Sequence, residues 1–247
     1  MKPGLMLTAA LAVALCAGAV AAKPTAAMLA AVADTKRPAA DTALDEARKP
    51  AETLEFIGVK PGQTVADFIP GGGYFTRLFA DAVGPNGKVY AVTNPPPPNA
   101  PNPPAIMALP KDYPNVEVVA TGIGAFKTPT QVDVFYTAQN FHDLYLTRFN
   151  LNVPAVVKNI YDSIKPGGEF VVLDHVAATG ADVVPTANTL HRIDPAAARK
   201  TIEAVGFKYE GESKILANPA DDHSKNVFDP AIRHHTDQFI YKFRKPK

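Results

Sequence analysis

Thr64-Val65-Ala66-Asp67-Phe68-Ile69-Pro70-Gly71-Gly72-Gly73 carries an apolar run straight into a glycine turn. Its first six residues have the composition and length of a buried strand. Beyond the glycines, Phe75, Leu78, Phe79 and Ala82 fall at i, i+3, i+4 and i+7, the spacing of one helix face. Glycine lets a backbone approach a ligand closely, and a helix that starts there offers free N–H groups. In an open parallel sheet, ligands bind beyond the carboxyl ends of the strands, at the point where the strand order reverses. The turn after Asp67 is therefore the expected site, with Asp67 as an acceptor for an amino or hydroxyl group.

The same alternation continues on both sides. Upstream, Pro50 opens a helix expected to reach Ile57, with Gly58 past its end. Downstream, Gly84-Pro85 stops the helix that follows the glycines. Further strands are expected at 88–92, 116–120, 132–136, 170–173, 209–215 and 238–243. A long helix carries Val153, Val156, Val157, Ile160 and Ile164 on one face, and Pro195 opens another. Strands alternating with helices argue for an α/β, Rossmann-like, doubly wound and mostly parallel sheet.

The chain has 247 residues, 47% of them hydrophobic, with 25 Lys and Arg against 24 Asp and Glu. That is enough apolar material for one buried core, and the near-zero charge gives no footprint for nucleic acid. Lys2, the uncharged run Leu5 to Leu15 and the small residues up to Ala22 have the form of a cleavable signal peptide, residues 1–22. Its removal would take the only cysteine, Cys16, and leave no stable membrane span, so a periplasmic or secreted protein is expected. Residues 23–40, rich in Ala and Pro, read as a tether, and 41–247 as the domain.

Several titratable residues should lie near the sheet's carboxyl edge: His142 and Asp143 follow the fourth strand, Asp174 and His175 end the fifth, and His191 and Asp194 come shortly after. Histidine titrates near neutrality, so His142 is the expected general base, with Asp174 or His175 as helper. Asp194 precedes Pro195 and is the ready N-cap of a helix. Arg192 either holds a substrate carboxylate or neutralises Asp194, and Arg48 and His191 are further candidates for substrate contact. Three histidines with acids also raise a metal-assisted hydrolase. No HExxH or His-x-His spacing supports one, and no metal is expected. His234 and His235 are adjacent, so their side chains would diverge on a strand. The Pro-rich loop 95–104 is either a stiff wall over the site or an inert insertion.

The run Asp67 to Gly73 resembles the first motif of class I S-adenosylmethionine-dependent methyltransferases, and Ile164-Lys165-Pro166-Gly167-Gly168 looks like their turn before the fifth strand. More narrowly, Asp45 to Pro50, Pro70 to Tyr74, Asn140 to Asp143, Asp174-His175 and Leu190 to Asp194 resemble exported bacterial proteins described as predicted methyltransferases. So do Asn218 to Asp222 and the ending Phe243 to Pro246. The resemblance implies a seven-stranded sheet with its last strand antiparallel. It implies S-adenosylmethionine as cofactor, held by Asp67, Gly71, Gly72, Gly73 and Asn94, and a small-molecule methyl acceptor. Three positions depart from the pattern: Ile69 stands where a glycine is usual, Thr93-Asn94 where a ribose-binding acid is usual, and Thr121-Gly122-Ile123-Gly124 where an acid often follows the third strand. These departures keep open an exported, non-catalytic binding or accessory protein on the same fold.

Overall fold

The computed structural model describes residues 23–99 and 101–247, so the expected signal peptide lies outside the described residues. Seven strands form one sheet: β1 (Thr64–Phe68), β2 (Lys88–Val92), β3 (Val116–Val119), β4 (Val132–Ala138), β5 (Ile164–His175), β6 (Lys208–Ser213) and β7 (Gln238–Arg244). Their spatial order is β3-β2-β1-β4-β5-β7-β6. Strands β1 to β5 pair in parallel, and β7 runs antiparallel to both β5 and β6. The order reverses at β1, so the crevice opens where β1 and β4 end side by side, with Asp67 opposite Tyr136.

Period-two alternation sends each strand's residues to two cores. Val65, Val134, Tyr136, Val171 and Leu173 face one core. Ala66, Phe68, Phe135, Phe170 and Val172 face the other. Over the first core lie α1 (Ala26–Val32), α4 (Pro50–Ile57) and α5 (Tyr74–Val83), and over the second α6 (Val153–Ser163) and α8 (Pro195–Glu203). Two single helical turns, α2 (Ala39–Thr42) and α3 (Asp45–Arg48), lead into α4, and α7 (Val183–Leu190) stands between β5 and α8. Helix α4 has the expected bounds, and Gly58 closes it at φ +78°, a conformation that glycine adopts without penalty. Asp194 caps α8 by accepting from Ala196 N–H at 2.9 Å. Among the described residues no helix is long and apolar enough to cross a membrane.

The expected tether at 23–40 is instead part of the fold. Thr25 caps α1, and Met28 and Ala31 are buried in the first core against the helices. Arg37 then anchors the segment. Its guanidinium donates to both carboxylate oxygens of Asp45 and, at 2.6 Å, to Val32 C=O. Alanine-rich composition disguised a docking helix, because a stripe of alanine and methionine suffices where helices pack closely. His234 and His235 are not on a strand; both sit exposed in the turn before β7.

Candidate functional site

Beyond the ends of β1 and β4 lies a cleft of about 460 Å³, within the range of small-molecule sites. Asp67, Ile69, Gly71 and Gly72 line one side, Arg48, Tyr74 and Asp41 another, and Gln139, Asn140 and Asp143 a third. The turn is held from several directions. Ile69 N–H donates to Val92 C=O and Asn140 Nδ2 to Ile69 C=O, both at 2.9 Å. Arg77 Nη1 bridges Gly72 C=O and Asp41, also at 2.9 Å. No side chain caps the N-terminus of α5, so its first N–H groups are left to a ligand.

Ile69 has φ +57° and Gln139 φ +60°. A β-branched residue in this region costs about 1–2 kcal/mol relative to glycine. Ile69 thus keeps the backbone shape of the glycine usual at its position. Such outliers gather where the surrounding structure holds a functional geometry in place, and both of these line the cleft.

Asp67 is buried, and only the Thr76 hydroxyl, at 2.6 Å, donates to its side chain. Burial pushes its carboxyl up to about 7, and Thr76 and the more distant Arg48 offset this only in part. Among the described residues, Arg48 is the one cation lining the cleft. It stacks 4.4 Å from the centre of the Tyr74 ring and makes no salt bridge among the described residues. Tyr74 is itself fixed by donating to Asp45 at 2.7 Å.

The histidines divide. His142 is buried, and its Nδ1 lies 2.8 Å from Asp174 Oδ1, while its Nε2 faces His191 Nδ1 and Asp143 Oδ1, each at 3.3 Å. Burial works against a charge on His142, but Asp174 and Asp143 outweigh it and lift the imidazole to about 9. A group protonated at neutral pH is not a ready base, which corrects the role expected for His142. Asp174 does stand behind it as expected. His175 instead turns away, buried against Thr236 Oγ1 at 2.8 Å, and burial drives it down to about 3, so it stays neutral and out of the cleft.

Two further expectations are corrected. Arg192 is wholly buried and pairs with Asp221 rather than with Asp194 or a substrate. Asn94 is exposed outside the cleft lining, its carbonyl accepting from Ile123 N–H at 3.0 Å. Gly73 also stays outside the lining. At φ +88° it starts α5, and a Cβ there would meet Ile106 and Leu109 at 3.2 Å. Among the described residues, none from the Pro-rich loop 95–104 lines the cleft. Asp41 and Gln139 were not foreseen. Asn140 was visible only as part of the run 140–143, whereas Asp143 was named beside His142 but given no role of its own.

No protein-family model matches the chain, and no curated protein matches it. Solved structures do. A SAM-dependent methyltransferase from Aquifex aeolicus superposes with a TM-score of 0.54 at 17% identity, over 85% of this chain and 98% of its own. An arsenic(III) S-adenosylmethionine methyltransferase from Chlamydomonas reinhardtii gives 0.55 at 18% identity, over 92% and 75%. The [4+2]-cyclase SpnF gives 0.55 at 16% identity, over 84% and 81%. The chain therefore has the fold of S-adenosylmethionine-dependent methyltransferases. The cyclase shows that one fold serves different reactions, so function has to be argued from the site.

Proposed function

We propose that the cleft binds S-adenosylmethionine and that the protein transfers its methyl group to a small-molecule acceptor. The observation that carries this reading is Gly72. Its backbone does not need glycine, and a Cβ there would meet nothing within 4 Å, so neither conformation nor packing demands it. It lines the cleft in front of an uncapped helix, where a side chain would occupy the ligand's place.

The remaining residues divide the work by charge. Asp67 accepts from an ammonium or hydroxyl group, and Arg48 meets a carboxylate at the other side of the cleft. The cofactor supplies an electrophilic methyl on a sulfonium. An acceptor at the Asp143 end would take up that methyl, the electron pair of the broken carbon–sulfur bond staying on sulfur and the acceptor's proton passing to solvent. With a leader of the form seen at 1–22, this reading places the protein in the periplasm or outside the cell.

A non-catalytic binding protein is the second reading. Ile69 and the engaged Asn94 carbonyl favour it, because both weaken donor recognition relative to the usual motif. Calorimetric titration of residues 23–247 with S-adenosylmethionine and S-adenosylhomocysteine separates the two. Micromolar binding is expected, lost by about a hundredfold in Gly72→Ala with stability changed by less than about 0.5 kcal/mol. Absence of binding at millimolar donor would move the protein to the second reading, and unchanged binding in Gly72→Ala would displace the ligand from this cleft.

A further inference from the structure

We propose that His142 Nε2, His191 Nδ1 and Asp143 Oδ1 form a tetrahedral site for a divalent metal of the zinc type, with its fourth position available to an acceptor at the edge of the cleft. The three atoms lie 3.3, 3.3 and 3.6 Å apart. Zinc bonds of about 2.1 Å at tetrahedral angles set neighbouring donors about 3.4 Å apart, whereas octahedral angles would set them about 3.0 Å apart. The observed spacing is that of the tetrahedron. The two imidazole rings stand at 89° with centroids 5.3 Å apart, so their edges converge where stacked faces would not.

Two independent features support the site. Asp143 Oδ1 is buried and has no hydrogen-bond partner among the described residues, although both rings stand within ion-pair distance of it. A buried carboxylate oxygen left unpaired is costly, and a cation removes that cost. Behind His142, Asp174 holds Nδ1 at 2.8 Å and is itself fixed by the N–H groups of His142 and His175 at 2.7 and 2.8 Å. This is the carboxylate–histidine arrangement that orients metal-binding imidazoles and fixes their tautomer. His191, with φ +54°, occupies a backbone region unusual outside glycine, and Phe228 packs 5.0 Å from its ring.

Imidazole nitrogens with one carboxylate suit zinc better than magnesium or calcium, which prefer oxygen. Asp143 also lines the cleft, so an acceptor hydroxyl or thiol on the fourth position would be delivered to the donor's methyl group. Coordination lowers the pKa of such a heteroatom, whose proton then leaves to solvent while its lone pair remains for the methyl carbon. That acceptor role rests on the methyl-transfer reading; the metal site does not.

The test is therefore run without donor. Residues 23–247, stripped with a chelator, are titrated with zinc chloride alone. One equivalent is expected to bind, with affinity falling at least about a hundredfold in His191→Ala and Asp143→Ala, and about ten- to a hundredfold in Asp174→Asn. His235→Ala, outside the group, should bind as the parent does. Thermal melts of His191→Ala show whether the fold persists, because His191 is the least buried of the imidazoles involved. No saturable zinc binding, binding unaffected by His191→Ala, or a preference for Mn2+ over Zn2+ would overturn the assignment. Failure of the donor titration would leave this result standing.

Discussion

Arg192→Met should lower the stability of the protein by about 3–5 kcal/mol, the range for breaking a buried ion pair from one side. The guanidinium has no exposed surface and holds both oxygens of Asp221, at 2.9 and 3.1 Å. It also donates to Lys225 C=O and Val176 C=O at 2.9 Å. Methionine fills much of the volume but leaves a buried carboxylate and two carbonyls without their donor. Asp221, which burial pushes up and the N–H groups of Asp237 and His223 together with Arg192 hold below the usual carboxylate range, loses one of its main supports. For a domain of this size each kcal/mol moves Tm by about 2–4 °C, so a shift of roughly 10 °C should appear in a thermal melt. The double variant Arg192→Met/Asp221→Asn should recover part of the loss, since it removes the stranded charge. A loss under about 1 kcal/mol in the single variant would mean that water reaches the pair. The ion pair ties the segment after β5 to the one before β7, and His191 precedes Arg192, so the same variant should also weaken zinc binding.

That pairing marks the limit of what the sequence could reveal. Asp67, the glycine turn and the α5 periodicity were legible because strand, turn and helix are encoded locally, within a dozen residues. Arg192 looked like a substrate contact because its partner lies 29 residues on, in irregular chain with no period to read. Residues 23–40 misled for a related reason: what makes α1 part of the domain is a long-range fit of Met28 and Ala31, secured by the Arg37–Asp45 pair. At the site, His142 lies against both Asp174 and His191, the latter at the end of α7. Strand-end placement could not separate His142 from His175, because both are buried and only their long-range partners differ, Asp174 for His142 and Thr236 for His175. The strained backbone of Gln139 had no sequence signal, and that of Ile69 was hinted at only by its standing where the resembled motif has glycine.

Asp67→Asn should make the protein more stable at pH 8 while strongly weakening donor binding. Burial raises the Asp67 carboxyl from its usual 3.8 to about 7, so folding takes up a proton at this site between those values. Its contribution to stability is whole below pH 4 and is lost as the pH rises through 7, the reverse of a salt-bridged carboxylate. A rise of that size corresponds to about 4 kcal/mol at most, and since the new amide N–H groups need partners of their own, a gain of about 1–3 kcal/mol is expected at pH 8. Below pH 4 the gain should vanish. Paired denaturation curves at pH 4 and pH 8 measure it, and a variant equally stable or less stable at both would show that Asp67 is not an uncompensated buried acid. A residue that costs stability when ionised is retained for what its charge does. In the cleft it would accept from the donor, and binding would then draw off the proton. Wild-type affinity for S-adenosylmethionine should accordingly rise about eightfold from pH 6 to pH 7.5 as Asp67 ionises, while the residual affinity of the asparagine variant stays flat. A wild-type affinity independent of pH would separate Asp67 from the ligand and leave its buried charge without a role in this cleft.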